Sequence, residues 1–217
     1  MKILILSDLH IGSRQSDVSV NTIHALVQKL TPSLVILAGD TLDLLANDNL
    51  IIKVNNECLH KAILLRGNHD LSISQKESTE FSINGKKAIV FHGHQYATKS
   101  IFDAKFWVRV NEFFIKTFKV NFQNIGRRTL SKDYPEGEYL PDLYEQRSKI
   151  LEEYKNKDFD IVISGHTHYP EVTKFENFTY VNVGNWEWAC IIDSDGIKLH
   201  RISELLSNAF PKDGKGK

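Results

Sequence analysis

Cysteine is nearly missing from this sequence: Cys58 and Cys190 are the only two. They stand far apart and match no metal-ligand or redox spacing, which argues against a disulfide framework and suits a reducing compartment. Excess charge of either sign is missing as well. Lys and Arg together number 27, as do Asp and Glu, so nothing global draws the chain to nucleic acid or to an anionic membrane, and any such attraction must come from a local patch. No apolar run approaches the ~20 residues of a membrane-spanning helix. The run from Met1 to Leu6 meets the charged Asp8 too soon to be the core of a signal peptide. There is no Gly-x-Ser-x-Gly elbow and no Walker A loop, which weighs against acyl transfer and NTP-driven work. What is present is a 217-residue chain, 41% hydrophobic and 25% charged, long enough to bury the core of one domain. It is expected in the cytoplasm.

The apolar pattern opens as strand, helix, strand, helix, strand. Ile3 to Leu6, Leu34 to Leu37 and Ala62 to Leu65 are short continuous apolar runs, the mark of strands buried on both faces. Between the first two, Val18, Ile23, Leu26, Val27 and Leu30 fall near helical spacing, with Pro32 just beyond. Leu50 to Leu59 is expected as a short helix. The pattern is that of an α/β fold. Hairpins then take over. Phe81 to Ile83 and Ala88 to Phe91 flank Asn84-Gly85, a strong hairpin turn. Ile161 to Ser164 is another buried run. Two more hairpins turn near Glu176-Asn177 and at Asp195-Gly196. Residues 1–210 are read as a single domain, and the charged, glycine-rich tail 211–217 as disordered.

Polar groups of metal-ligand type follow five of these strands: Asp8 and His10; Asp40 and Asp43; Asn68, His69 and Asp70; His92 and His94; His166 and His168. Six of the nine histidines lie in these motifs. Strand ends of an open α/β sheet line the crevice where ligands bind, so the five sets are expected to converge. Carboxylate, amide oxygen and imidazole without thiolate suit Mn, Fe or Zn, and Ni tolerates a similar shell. Two ions sharing a carboxylate sit ~3.5–4 Å apart, the separation used in phosphoryl chemistry, and the pair acidifies a bridging water.

The motifs Asp8-x-His10, Gly39-Asp40-x-x-Asp43, Gly67-Asn68-His69-Asp70, His92-Gly93-His94 and Gly165-His166-Thr167-His168 resemble, in content and order, those of the calcineurin-like metallophosphoesterases. The resemblance implies an αββα two-sheet sandwich and two divalent metals, Mn first. Asp8, His10 and His168 would hold one metal and Asn68, His92 and His166 the other, with Asp40 shared. His69 would be the general acid or a phosphate-binding cation, oriented by Asp70. Asp43 is expected as a partner of a ligand histidine, and His94 as a substrate contact or a structural hydrogen bond. His24, His60 and His200 lie outside the motifs and are read as ordinary residues. The expected reaction is hydrolysis of a phosphoester or pyrophosphate bond by a metal-activated bridging hydroxide. A nuclease, a protein phosphatase and a non-catalytic docking scaffold are the alternatives.

The segment from about 97 to 157 differs in character and is expected to be a helical cap inserted into the domain. Residues 99–122 carry Phe102, Phe106, Trp107, Phe113, Phe114, Phe118 and Phe122, and residues 142–155 form a more polar helix. Lys99 to Lys132 holds eight basic residues, Arg109, Arg127 and Arg128 among them, against two acids. Aromatics and basics on one amphipathic segment can take an acyl chain and a nucleotide diphosphate, or touch the inner face of an anionic membrane. The same stripe can instead simply pack the cap onto the core. The insertion and the segment Tyr180 to Trp186 resemble the UDP-2,3-diacylglucosamine pyrophosphohydrolase group, while His69 and His94 are closer to small phosphodiesterases. A phosphorylated small molecule is thus the expected substrate, nucleotide-linked and lipid-bearing in the first of these readings.

Overall fold

In the computed structural model, residues 1–13, 16, 18–42, 62–69, 74–97 and 141–207 are described, the first four of the last segment by backbone alone. They divide into two compact units, one made of Met1–His92 with Asn156–Lys217 and the other of Gly93–Lys155.

The first unit holds two five-stranded sheets. Its strands are β1 (Ile3–Leu6), β2 (Leu34–Leu37), β3 (Ala62–Leu64), β4 (Ser78–Ile83), β5 (Lys86–Phe91), β6 (Ile161–Ser164), β7 (Glu171–Lys174), β8 (Thr179–Asn182), β9 (Trp188–Asp193) and β10 (Gly196–Arg201). One sheet has the order β10-β9-β1-β2-β3 and the other β4-β5-β6-β8-β7. In the first, β1, β2 and β3 run parallel; in the second, β5, β6 and β8 do. Both sheets gain antiparallel strands from hairpins.

The apolar runs explain the layering. In β1, Ile3 and Ile5 face one way, into a core shared with Ile36, Val90, Ile161, Ile163, Val181 and Cys190 of both sheets. Leu4 and Leu6 face the other way, onto α1 (Val20–Leu30) and α3 (Ile202–Ser207) with Val20, Ile23, Leu26 and Ile202. A strand covered on both faces needs no polar alternation, hence its unbroken Ile-Leu-Ile-Leu. Ser19 opens α1 with a capping box to Thr22, which satisfies the first free amides of the helix.

The strands and hairpins arise where the apolar pattern places them, with differences at their ends. β4 begins at Ser78 and β10 runs on to Arg201, because ladder pairing extends past the hydrophobic residues that signal a strand. α3 carries no sequence expectation: six residues are too few for helical periodicity to show. Cys190 is a free thiol buried in β9, and burial pushes it up to about 12, so it stays protonated. The helix expected over Leu50 to Leu59, the tail 211–217 and Cys58 lie outside the described residues.

The second unit has a short 3-10 turn, His94–Tyr96, and α2 (Pro141–Tyr154), close to the polar helix expected at 142–155. Tyr96 donates its hydroxyl to Glu153 at 2.5 Å, and with burial this keeps the phenol protonated. Among the described residues, no helix is long and apolar enough to cross a membrane.

Candidate metal centre

The ligand-type residues leave the carboxyl ends of β1, β2, β3, β5 and β6, and the backbone there is held as firmly as in the strands. The β1–β2 ladder runs on past both strands: Asp8 N–H donates to the Gly39 carbonyl, His10 N–H to Asp40 and Ile11 N–H to Thr41, at 2.9–3.0 Å. The β5–β6 ladder likewise runs on past its strands, where Gly165 N–H donates to the His92 carbonyl at 2.9 Å. Asp8, His10, Asp40, His166 and His168 all have φ between 45° and 70°. That left-handed region is sparse for residues with a side chain, and Asp and His tolerate it better than most. Its concentration on five motif residues marks backbone strain held at a functional site.

Both carboxylates are buried, and each is split in the same way. Asp8 Oδ2 accepts the Ser7 hydroxyl at 2.6 Å and the His166 amide at 2.8 Å. Its Oδ1 faces His168 Nε2 at 3.1 Å. Asp40 Oδ1 accepts the His69 amide at 2.8 Å. Its Oδ2 lies 3.3 Å from His92 Nε2 and 3.9 Å from Nε2 of both His10 and His69. One oxygen of each carboxylate is thus fixed by backbone, while the other faces imidazoles. Among the described residues, three groups could each hold a cation: Asp8, His10 and His168; His10, Asp40 and His69; Asp40, His92 and His166. Asn68 joins the last, its Oδ1 lying 3.2 Å from His92 Nε2.

The donors fit a divalent metal. His92 Nδ1 lies 3.0 Å from the Ala38 carbonyl; donating there leaves the Nε2 lone pair toward Asp40, the usual outer hydrogen bond of a ligating histidine. His10 and His168 bring their Nε2 atoms within 3.3 Å of each other, a close approach that a shared cation accounts for. Burial would raise both carboxyls, but the imidazoles outweigh it: His92 and His168 beside Asp8, and His92, His69 and His10 beside Asp40, hold them well below the usual carboxylate range. Burial would lower His92, yet Asp40 and Asp8 drive it up to about 10. Burial, then His92, brings His166 down to about 4, so its imidazole is neutral at pH 7.

Gly165 and Gly67 are required by close approach to the two carboxylates. A Cβ on Gly165 would lie 1.9 Å from Ser7 Oγ and 2.4 Å from Asp8 Oδ2; one on Gly67 would lie 2.1 Å from Asp40 Oδ1. Gly165→Ala should therefore lower the urea midpoint by the equivalent of about 1–3 kcal/mol and release metal. A midpoint and metal content equal to the parent's would contradict this.

Of the sequence expectations, Asp8, His10, Asp40, Asn68, His69, His92, His166 and His168 are brought together. His69 sits inside the cluster, its ring 4.7 Å from that of His10. His94 belongs to the second unit. Asp43, Asp70, Phe102, Phe106, Trp107, Arg109, Phe113, Arg127 and Arg128 lie outside the described residues. His24 is exposed on α1, beside Gln28.

Sequence reasoning missed two supports. Ser7 is buried and bonds Asp8; its place before the motif Asp is the only signal. Asn182, also buried, donates to the Gly165 carbonyl at 3.0 Å and to Thr167 Oγ1 at 2.9 Å. Its Oδ1 accepts the Gly184 amide at 3.0 Å. It brackets the loop bearing His166 and His168, and an Asn ending a strand is its sequence trace. Asn182→Ala should cut metal-dependent activity by roughly 10–100-fold, the usual effect of removing support behind ligands. Added metal should restore part of the loss, and an unchanged metal dependence would refute the role.

Comparison with known proteins agrees with this geometry. The family described as calcineurin-like phosphoesterase matches residues 1–170. The fold is similar to that of YfcE, a phosphoesterase from E. coli, at 16% identity and a TM-score of 0.56, covering 94% of this chain and 95% of that one. It is also similar to an archaeal phosphodiesterase, at 15% identity and a TM-score of 0.53 over 93% and 99% of the two chains. Vps29 from Chaetomium thermophilum is similar at 14% identity and a TM-score of 0.52, over 91% and 86%. Comparison with curated proteins gives no match.

Proposed function

The chain belongs to the calcineurin-like phosphoesterase family, whose shared chemistry is metal-dependent phosphoester hydrolysis, and we propose that it cleaves a phosphodiester or pyrophosphate bond of a small nucleotide-linked molecule. In this reading Asp8, His10 and His168 hold one divalent cation and Asn68, His92 and His166 a second, with Asp40 common to both and manganese the preferred ion. The observation that carries it is the split of each buried carboxylate, one oxygen bound to backbone and the other turned to imidazoles from other strand ends. When bound, such a pair polarises the phosphoryl oxygens and supplies a nucleophile from water at neutral pH. The oxygen and imidazole donors suit Mn.

The chain's own groups do the rest. His69 has its amide fixed on Asp40 and its ring beside His10, and as general acid it passes the Nε2 proton to the leaving oxygen. Asp8 and Asp40 stay ionised across the working pH range, so neither competes for that proton. The free, buried Cys190 suits a reducing, cytoplasmic setting.

Protein purified without chelator and loaded with manganese should carry two ions per chain by elemental analysis and should hydrolyse bis(p-nitrophenyl) phosphate. One ion at saturation would overturn the binuclear assignment. Metal binding without any hydrolysis would favour a docking scaffold.

A further inference from the structure

Beside the proposed first-metal ligands lies a cavity that the reaction does not use. Trp186 forms the shared wall. Its ring centroid is 6.1 Å from that of His10 and 5.5 Å from that of His168, edge to face with both. The same side chain lines a cavity of about 410 Å³ with Val18, Thr22, Glu187, Arg201, Ile202 and Leu206. One indole therefore separates the ligand histidines from a space within the small-molecule range.

Hydrogen bonds fix the walls. Trp188 N–H donates to the Asn185 carbonyl at 2.9 Å and Glu187 N–H to Asn185 Oδ1 at 3.1 Å, which shapes the turn carrying Trp186. Ile202 N–H donates to the Glu187 carbonyl at 2.8 Å and ties α3 to that turn. Arg201 lies over the Trp188 ring at 5.2 Å, with Nη1 3.6 Å from Glu187 Oε2. The walls are thus formed before any ligand arrives, which lowers the ordering cost of binding.

The chemistry of the lining selects the occupant. Val18, Ile202 and Leu206 make an apolar floor and Trp186 an aromatic wall, which suit a flat ring. Glu187 and Arg201 give the rim an acceptor and a donor whose charges cancel, so the rim offers no surplus positive charge to a second phosphate. A heteroaromatic base is neutral, flat, and carries both donors and acceptors on its edge. We infer that this cavity is the subsite for the nucleoside of the substrate, with Trp186 as the specificity-determining wall. The inference rests on the phosphodiesterase reading and names its substrate class.

The test compares three esters that release the same p-nitrophenolate, as the phosphorus–oxygen bond to it breaks and one to water oxygen forms. They are the p-nitrophenyl ester of thymidine monophosphate, methyl p-nitrophenyl phosphate and octyl p-nitrophenyl phosphate. With manganese-loaded full-length protein, kcat/KM for the nucleoside ester should exceed that for the methyl ester by about tenfold or more, the scale of one base stacked on an aromatic ring. Ser203 is exposed and lines the cavity, and S203W, which fills it, should bring that ratio near one. A ratio near one in the parent, a ratio untouched by S203W, or an octyl ester faster than the nucleoside ester would each overturn the subsite while leaving the reaction intact. If none of the esters is cleaved the reaction fails, and calorimetric titration with thymidine monophosphate then decides the subsite separately. Binding weakened about tenfold or more by S203W supports it, and equal binding or none overturns it. R201A serves as a second variant should S203W not fold, with a rise in KM for the nucleoside ester alone expected, and equal KM values for all esters against it.

Discussion

Replacing Asp40 by alanine should lower manganese-dependent hydrolysis of bis(p-nitrophenyl) phosphate by about 10²–10³-fold or more, the range found when a group that stabilises the transition state is removed. The bound metal should fall at the same time. Asp40 Oδ2 lies within 3.9 Å of Nε2 on His92, His10 and His69, and its Oδ1 holds the His69 amide. Two of the three cation-holding groups contain it. Alanine therefore removes the proposed shared ligand, frees the loop that carries Asn68 and His69, and leaves buried imidazoles without their counter-charge. Asp40→Asn separates these effects. It keeps the shape and an oxygen for the His69 amide but not the charge, so it should fold better than alanine while remaining nearly as inactive. Activity in either variant within a few-fold of the parent, at equal metal content, would sink the mechanism.

Stripping the metal should give the protein a bell-shaped stability curve with its maximum near pH 6.5. His166 lies near 4 when folded, against an ordinary value of 6.5. Below 6.5 the unfolded chain takes up this proton more readily than the folded one, so stability rises with pH between about 4 and 6.5. His92 is shifted the other way, from 6.5 up to about 10. Its contribution is fully present below 6.5 and is lost as pH climbs toward 10. Asp8 and Asp40 are depressed from 3.8, so their contributions are present above that value and vanish as the pH falls further. The swing from His92 is on the order of a few kcal/mol. Metal changes the alkaline side, because a cation requires the Nε2 lone pair that the proton would occupy. Urea midpoints of chelator-treated protein should thus fall between pH 7 and pH 9, while those of manganese-loaded protein should not. Parallel curves for the two forms would show that His92 is no ligand.

Much of this centre is legible in the primary structure, since a strand buried on both faces leaves a long apolar run and polar ligands stand out where the run stops. Asp8, Asp40, Asn68, His92 and His166 can each be read in that way. The Asn84-Gly85 and Asp195-Gly196 turns are equally plain. The supports are not. Ser7 and Asn182 are common residues whose roles depend on groups far away in sequence, the Ala38 carbonyl for one and Thr167 for the other. Trp186 is legible only as the end of a segment that carries a resemblance, with no role of its own, until the fold brings it against His10 and His168.

By itself, then, the order of residues determined the α/β class, the points where the motif-bearing strands give way to polar residues, and the donor types, because these depend on local periodicity and on the chemistry of single side chains. Tertiary structure alone decided which oxygen of each carboxylate faces the imidazoles, which glycines must lack a Cβ, and which cavity adjoins the ligands. Those depend on contacts between strand ends far apart in sequence, 158 residues from Asp8 to His166 for one, and no local pattern records a contact of that kind.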